Sequence, residues 1–104
     1  MLASEEAVKK YHLTPLVEII EVDQAGVDPK FMGLGPVGAV KNVLKRSNLG
    51  LDQIGLLELN EAFAAQSIGV MKWLSSDLGV NYDQLLEKTN VNGGAIAIGH
   101  PVGA

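Results

Sequence analysis

Few residues in this sequence can do acid–base or nucleophilic work, and the most pointed of them is His100, in the run Gly99-His100-Pro101. Gly99 lets other groups approach the backbone closely, and Pro101 holds the preceding residue extended. If Pro101 opens a helix, His100 stands at or beside its N-cap, where the positive end of the dipole disfavours imidazolium. A ring kept neutral can take a proton at one nitrogen and donate a hydrogen bond from the other beside a developing oxyanion. The same placement also suits a cap or loop histidine with no chemistry. Asn60 follows an apolar run and would stand at the C-terminal end of a buried strand, where ligand sites in open α/β sheets gather. Its amide can hold a water or a substrate oxygen there, or serve only as a helix cap.

The remaining candidates are weaker. Glu61 reads as a first-turn acid rather than a catalytic base. Gly93 and Gly94 can offer N–H groups to an anion or allow a close backbone crossing. Their spacing is neither a P-loop nor GxGxxG, and no Lys follows, so nucleotide binding is not expected. Met32 and Phe63 either line a pocket or pack in the core. His12 carries no assignment.

Composition narrows the classes further. The chain has 104 residues with 47% hydrophobic and 19% charged side chains, and this excludes a disordered acidic tail. Its length suits one small domain burying roughly 65% of its unfolded surface. A net charge of −4 argues against a nucleic-acid partner, which calls for excess Lys and Arg. No apolar run approaches the roughly 20 residues that span a bilayer, and no leader pattern opens the chain, so the expected compartment is the cytoplasm. There is no cysteine, hence no disulfide, no thiolate metal site and no thiol nucleophile. Two histidines without metal-ligand spacing make a catalytic zinc site unexpected.

The elements that must position these residues follow from pattern. Ser4 with Glu5 and Glu6 predicts a capped helix to about Tyr11, and Pro15 marks a boundary. Leu16 to Val22 reads as a strand, and Asp28 to Gly35 as loop. Pro36 opens a helix with Val37, Val40, Val43 and Leu44 on one face and Lys41, Lys45 and Arg46 on the other, ended by Gly50. Ile54 to Leu59 reads as a strand covered on both faces. Asn60 is predicted to cap a helix apolar round much of its circumference, through Phe63, Ile68, Met71 and Leu74, and therefore buried by more than one neighbour. Asn81 to Lys88 reads as a short helical turn. Alternating helix and buried strand predicts an α/β layer architecture. The chain breaks off inside the first turn of the helix that Pro101 opens, which predicts a piece of a longer polypeptide.

Three segments taken together resemble the thiolase family. They are Asn60-Glu61-Ala62-Phe63, the run from Gly93 to Ala104 (GGAIAIGHPVGA), and Met32-Gly33-Leu34-Gly35-Pro36-Val37, which is similar to the family's MGxGPV loop. They stand in the family's order, and the resemblance covers essentially the whole chain. The NEAF form resembles the acetyl-CoA acetyltransferase and 3-ketoacyl-CoA thiolase branches.

The resemblance implies a thiolase-like α/β fold: residues 1–104 would be part of the C-terminal domain, truncated at both ends, with helices layered on a mixed sheet. It implies Claisen condensation or thiolytic cleavage of 3-ketoacyl-CoA and acetyl-CoA thioesters through a cysteine acyl-enzyme. Coenzyme A thioesters would be substrates, with no cofactor and no metal. By the same resemblance, His100 activates the thiol and donates to the thioester oxyanion, and Asn60 fixes a water in that oxyanion hole. Met32, Phe63 and Gly99 fall at substrate-binding positions. The family's nucleophilic and acid/base cysteines are both missing here, and Gly38 replaces the proline common after GPV, which predicts a looser first turn. The polypeptide is therefore expected to be inactive alone, to depend on the missing N-terminal half and C-terminal strands, and to form homo-oligomers. The alternative is a non-enzymatic thiolase-fold remnant acting only in association.

Overall fold

The computed structural model describes residues 1–99, and His100 and the helix expected from Pro101 lie outside them. The chain opens with helix α1 (Glu5–Tyr11), whose first turn is capped by the Ser4 hydroxyl accepting from the Ala7 N–H at 3.2 Å. His12 closes it in the left-handed conformation and donates its N–H to Val8, so this histidine is a helix terminator. A 3₁₀ segment over Pro29–Leu34 stands where a loop was expected, begun by the Asp28 carboxylate accepting from the Lys30 N–H.

Helix α2 (Gly35–Ser47) starts beside Pro36 as the sequence predicts, and Asn48 in the left-handed conformation ends it just ahead of Gly50. Gly38 lies within its first turn, close to Ala25. Helix α3 (Ala64–Leu78) and the short helix α4 (Tyr82–Glu87) form a hairpin, and α5 (Ala95–Ile98) is a single turn. The core sits where α2, α3 and α4 meet. Val37 and Leu44 of α2 pack with Val70, Met71 and Leu74 of α3, Leu85 of α4 and Leu51 from a 3₁₀ turn (Leu51–Gln53). Val70 and Leu74 are fully buried. The Pro29–Leu34 segment lies directly on α3 because Gly33 carries no side chain: a Cβ there would stand 2.9 Å from Cγ of Gln66.

Three expectations are corrected. The first is the strand over Leu16 to Val22: this segment has no strand pairing, and Leu16 and Val17 are 95% and 82% exposed. Its apolar, β-branched composition suits a strand, but a strand exists only where a neighbour takes its N–H and C=O groups. It is instead tied down by charge. Arg46 on α2 donates to the Glu21 and Asp23 carboxylates at 3.2 Å each, and Asn42 donates to the Gln24 carbonyl.

The second is the mixed sheet, which is not present among the described residues. In place of the strand Ile54 to Leu59 there is one isolated parallel bridge, Leu57 to Thr89. The third is the start of helix α3, at Ala64 rather than after Asn60; α2, α4 and the Pro29–Leu34 segment all pack on it, as a helix with more than one neighbour requires, yet part of its circumference stays uncovered. Ile68 and Trp73 on the rest of its circumference are exposed, because no described element covers them.

Candidate functional site

The site is built where the stretch before α3 meets the turn after α4. The Leu57 N–H donates to the Lys88 carbonyl and the Asn90 N–H donates to the Leu57 carbonyl, both at 2.8 Å, which makes the single parallel rung. Continuation of the ladder would require extended backbone at Asn90, but Asn90 is left-handed with φ 49°. Its side chain takes over. Oδ1 accepts from the Leu59 N–H and Nδ2 donates to the Leu59 carbonyl, both at 2.8 Å. An asparagine amide carries the same donor and acceptor as a peptide and tolerates the left-handed region, so it substitutes for the missing strand.

Glu61 completes the junction. One carboxylate oxygen accepts from Nδ2 of Asn90 and the other from the N–H of Ile96 in α5, each at 3.1 Å. The carboxylate lies so close to the Gly94 backbone that a Cβ at position 94 would collide with it. What approaches the Gly94 backbone is thus a side chain, the Glu61 carboxylate, and not a crossing stretch of backbone. Glu61 is not a first-turn acid, because its carboxylate is engaged across the chain before α3 begins. These tertiary bonds also explain why Asn60 fails to cap a helix: Leu59 and Glu61 on either side are both committed elsewhere.

Lower in the same turn, Lys88 donates to the Leu51 and Ile54 carbonyls at 2.6 and 2.8 Å. The Thr89 hydroxyl lies 2.6 Å from the Leu85 carbonyl. This end of the site is therefore fixed to both α4 and the 3₁₀ turn.

The predicted site residues fall as follows. Asn60 is exposed, between the tied residues Leu59 and Glu61. Phe63 is 72% exposed at the entrance to α3, and Met32 is 75% exposed on the 3₁₀ segment. Because Gly33 rests against Gln66 in the first turn of α3, the segments bearing Met32 and Phe63 meet at that helix's N-terminal end. Gly99 is exposed with φ 91° and closes α5 through its N–H to the Ala95 carbonyl. Met32 and Phe63 are thus surface residues, not core. Two more residues build the junction: Glu61, which the sequence offers only as a first-turn acid, and Asn90, to which no motif points. The available signal was Asn90 two residues before Asn92-Gly93-Gly94, since asparagine is the side chain best able to turn left-handed and imitate a peptide.

Two clefts lie near these elements. One of about 210 Å³ runs between Glu61, Asn90 and Ile96 on one side and Ser67 and Met71 of α3 on the other. Another of about 240 Å³ lies between Val27 and Trp73, and its one ionisable group, Asp77, is paired with Lys41 at 2.6 Å. The first cleft borders the junction on which Asn60 sits. Among the described residues no group of acidic or histidine side chains is arranged to hold a metal, and no helix is long and apolar enough to cross a membrane.

Comparison with known proteins places this arrangement. The family described as thiolase, C-terminal domain, matches residues 13–104. Human mitochondrial 3-ketoacyl-CoA thiolase is 48% identical over 103 residues, covering 99% of this chain and 24% of its own length. Two solved structures are similar in shape. Acetyl-CoA acetyltransferase from Syntrophomonas wolfei has TM-score 0.86 at 42% identity, covering 97% of this chain and 25% of that one. Human mitochondrial 3-ketoacyl-CoA thiolase in complex with CoA has TM-score 0.82 at 46% identity, over 98% of this chain and 24% of that one. The chain therefore spans about a quarter of the relatives it matches.

Proposed function

The chain belongs to the thiolase family, matching part of its C-terminal domain, and from that membership we propose that it supplies one side of an acyl-CoA acyltransferase active site. The reaction is thiolytic cleavage of a 3-ketoacyl-CoA, or the reverse Claisen condensation of acetyl-CoA. A cysteine thiolate attacks the carbonyl carbon, the carbonyl oxygen becomes an oxyanion, and its collapse expels the carbanion or thiolate leaving group to form an acyl-enzyme. These 104 residues hold no cysteine, so the thiol comes from another stretch of polypeptide. The segment's part is electrostatic and acid–base. Asn60 holds a water, and with a neutral His100 it places donors where negative charge grows, while His100 also accepts the thiol proton. Met32, Phe63 and Gly99 border the thioester.

The observation that carries this reading is the position of Asn60. The residue is exposed, and its neighbours on both sides are tied to the turn at Asn90 and to the start of α5. The names of the relatives, 3-ketoacyl-CoA thiolase and acetyl-CoA acetyltransferase, and the solved CoA complex support coenzyme A thioesters as the substrate class. By itself the segment binds no acyl group covalently and turns nothing over.

The test uses a complete thiolase carrying this segment. His100→Ala should reduce acyl-enzyme formation from acetyl-CoA by about a hundredfold or more, and Asn60→Ala by about a hundred- to a thousandfold, as removal of an oxyanion donor does. Mass spectrometry of the intact protein after rapid quenching reads the acylated fraction. Acylation at wild-type rates in both variants would overturn the assignment.

A further inference from the structure

Asn60 has no rigid element of its own. It precedes α3, it is exposed, and its own backbone is in no helix or bridge. An oxyanion donor must nevertheless sit in a fixed place, because a misplacement of about 1 Å can cost about a hundredfold in rate. Resting on the functional reading above, we propose that Asn90 and Glu61 are positioning residues for Asn60, a two-residue latch that clamps it from both sides to the segment preceding His100.

The geometry gives each partner one available arrangement. The Leu59 N–H requires an acceptor and the Leu59 carbonyl a donor, so the Asn90 amide cannot flip. Nδ2 is therefore directed toward Glu61, where it needs an acceptor, and the Ile96 N–H needs a second one. Only a carboxylate offers two acceptor oxygens in that shape. Leu59 is held through its backbone and Glu61 through its side chain, and both holds converge on Asn90. Asn60, between them, cannot shift toward or away from α5 unless one of these bonds breaks. Gly94 is an independent sign of the same fit, because the carboxylate occupies the space that any side chain at that position would need. None of these bonds touches substrate. The pair acts through Asn60 and through the path of the chain from Gly94 to Gly99.

The test is a kinetic comparison in the complete enzyme. Glu61→Gln keeps shape but leaves one oxygen for two donors, and Asn90→Asp keeps the acceptor for Leu59 but sets a carboxylate against Glu61. Each is expected to lower kcat for thiolysis by about ten- to a hundredfold with KM within about threefold, because the loss is confined to the transition state. The double variant Glu61→Gln/Asn90→Asp restores a donor–acceptor match between the two positions and should recover part of the loss. Titration of the acylatable thiol gives the active fraction, which should stay near that of the parent. If kcat in both single variants remains within about twofold of the parent while Asn60→Ala keeps its large defect, the latch is wrong and the role of Asn60 stands. If the loss follows the active fraction or KM instead of kcat, the pair is merely structural and the proposal is overturned. If Asn60→Ala itself has no effect, the functional reading has failed rather than the latch.

Discussion

The side-chain amide of Asn90 stands beside Leu59 as the next peptide of a strand would, bonding both its N–H and its carbonyl at 2.8 Å. A one-rung ladder between Leu57 and Thr89 is thereby lengthened without a second strand.

Removing that amide should be felt as stability. Asn90→Ala abolishes the two bonds to Leu59 and the one to Glu61, and places alanine at φ 49°. About 1 kcal/mol for each of the three lost bonds and about 1 kcal/mol for the left-handed alanine give an expected loss of about 4 kcal/mol. Asn90→Gly, which relieves the backbone term alone, should lose about 1 kcal/mol less. Urea titration of the complete protein measures both; equal losses would remove the backbone share.

Gly94→Ala should be disproportionately harmful, because the added methyl meets the Glu61 carboxylate, which Asn90 and Ile96 hold in place. Activity is expected to fall about tenfold or more, since strain here moves the residues around Asn60. Glu61→Ala in the same molecule opens the space, so the two substitutions should be strongly non-additive. Additive effects in a double-mutant cycle would show that the contact is relieved elsewhere.

Leu74→Ala tests the core. Leu74 is fully buried between Val70, Leu85 and their neighbours, and its truncation should destabilise by about 2–5 kcal/mol, read from the thermal midpoint. Trp73→Ala, on the uncovered side of α3, should change the stability of the isolated segment by less than about 1 kcal/mol.

The pH dependence of the 16–24 stretch has a definite sign. The Gln24 backbone N–H, followed by Arg46 and Asn42, holds the Asp23 carboxyl below its ordinary value of 3.8. A carboxyl depressed in the folded state contributes stability that is complete above its unfolded value and is lost as pH falls through the folded one. Arg46, raised chiefly by Glu21 and then by Asp23, stays charged throughout. Protection of the Gln24 amide, its exchange rate taken relative to the unstructured chain at the same pH, should therefore hold steady down to about pH 4 and fall below it, whereas Asp23→Asn should flatten that acid step. An unchanged acid step in the variant would remove Asp23 from that role.

Much of the helical content was legible because its signals are local. Ser4 before two acids, Pro36 at the head of α2 and Asn81 before α4 each satisfy helix N–H groups or backbone geometry within one turn. The strands were not legible in the same way. Leu16 to Val22 has strand composition, yet pairing is a property of two segments and no described neighbour pairs with it. The start of α3 was misplaced for the same reason, since the claims on Leu59 and Glu61 come from residues some thirty positions away. At the site, the motifs brought out Asn60 and the glycines, whereas Asn90 was visible only after its left-handed backbone placed its amide against Leu59.

The rung between Leu57 and Thr89 closes a loop that contains all of α3 and α4. Contacts so distant along the chain form late, after the local helices have shortened the path between their ends. The surroundings of Asn60 are therefore expected to take shape near the end of folding, and a substitution that slows docking of α4 on α3 should delay the completed junction while leaving early helix formation untouched.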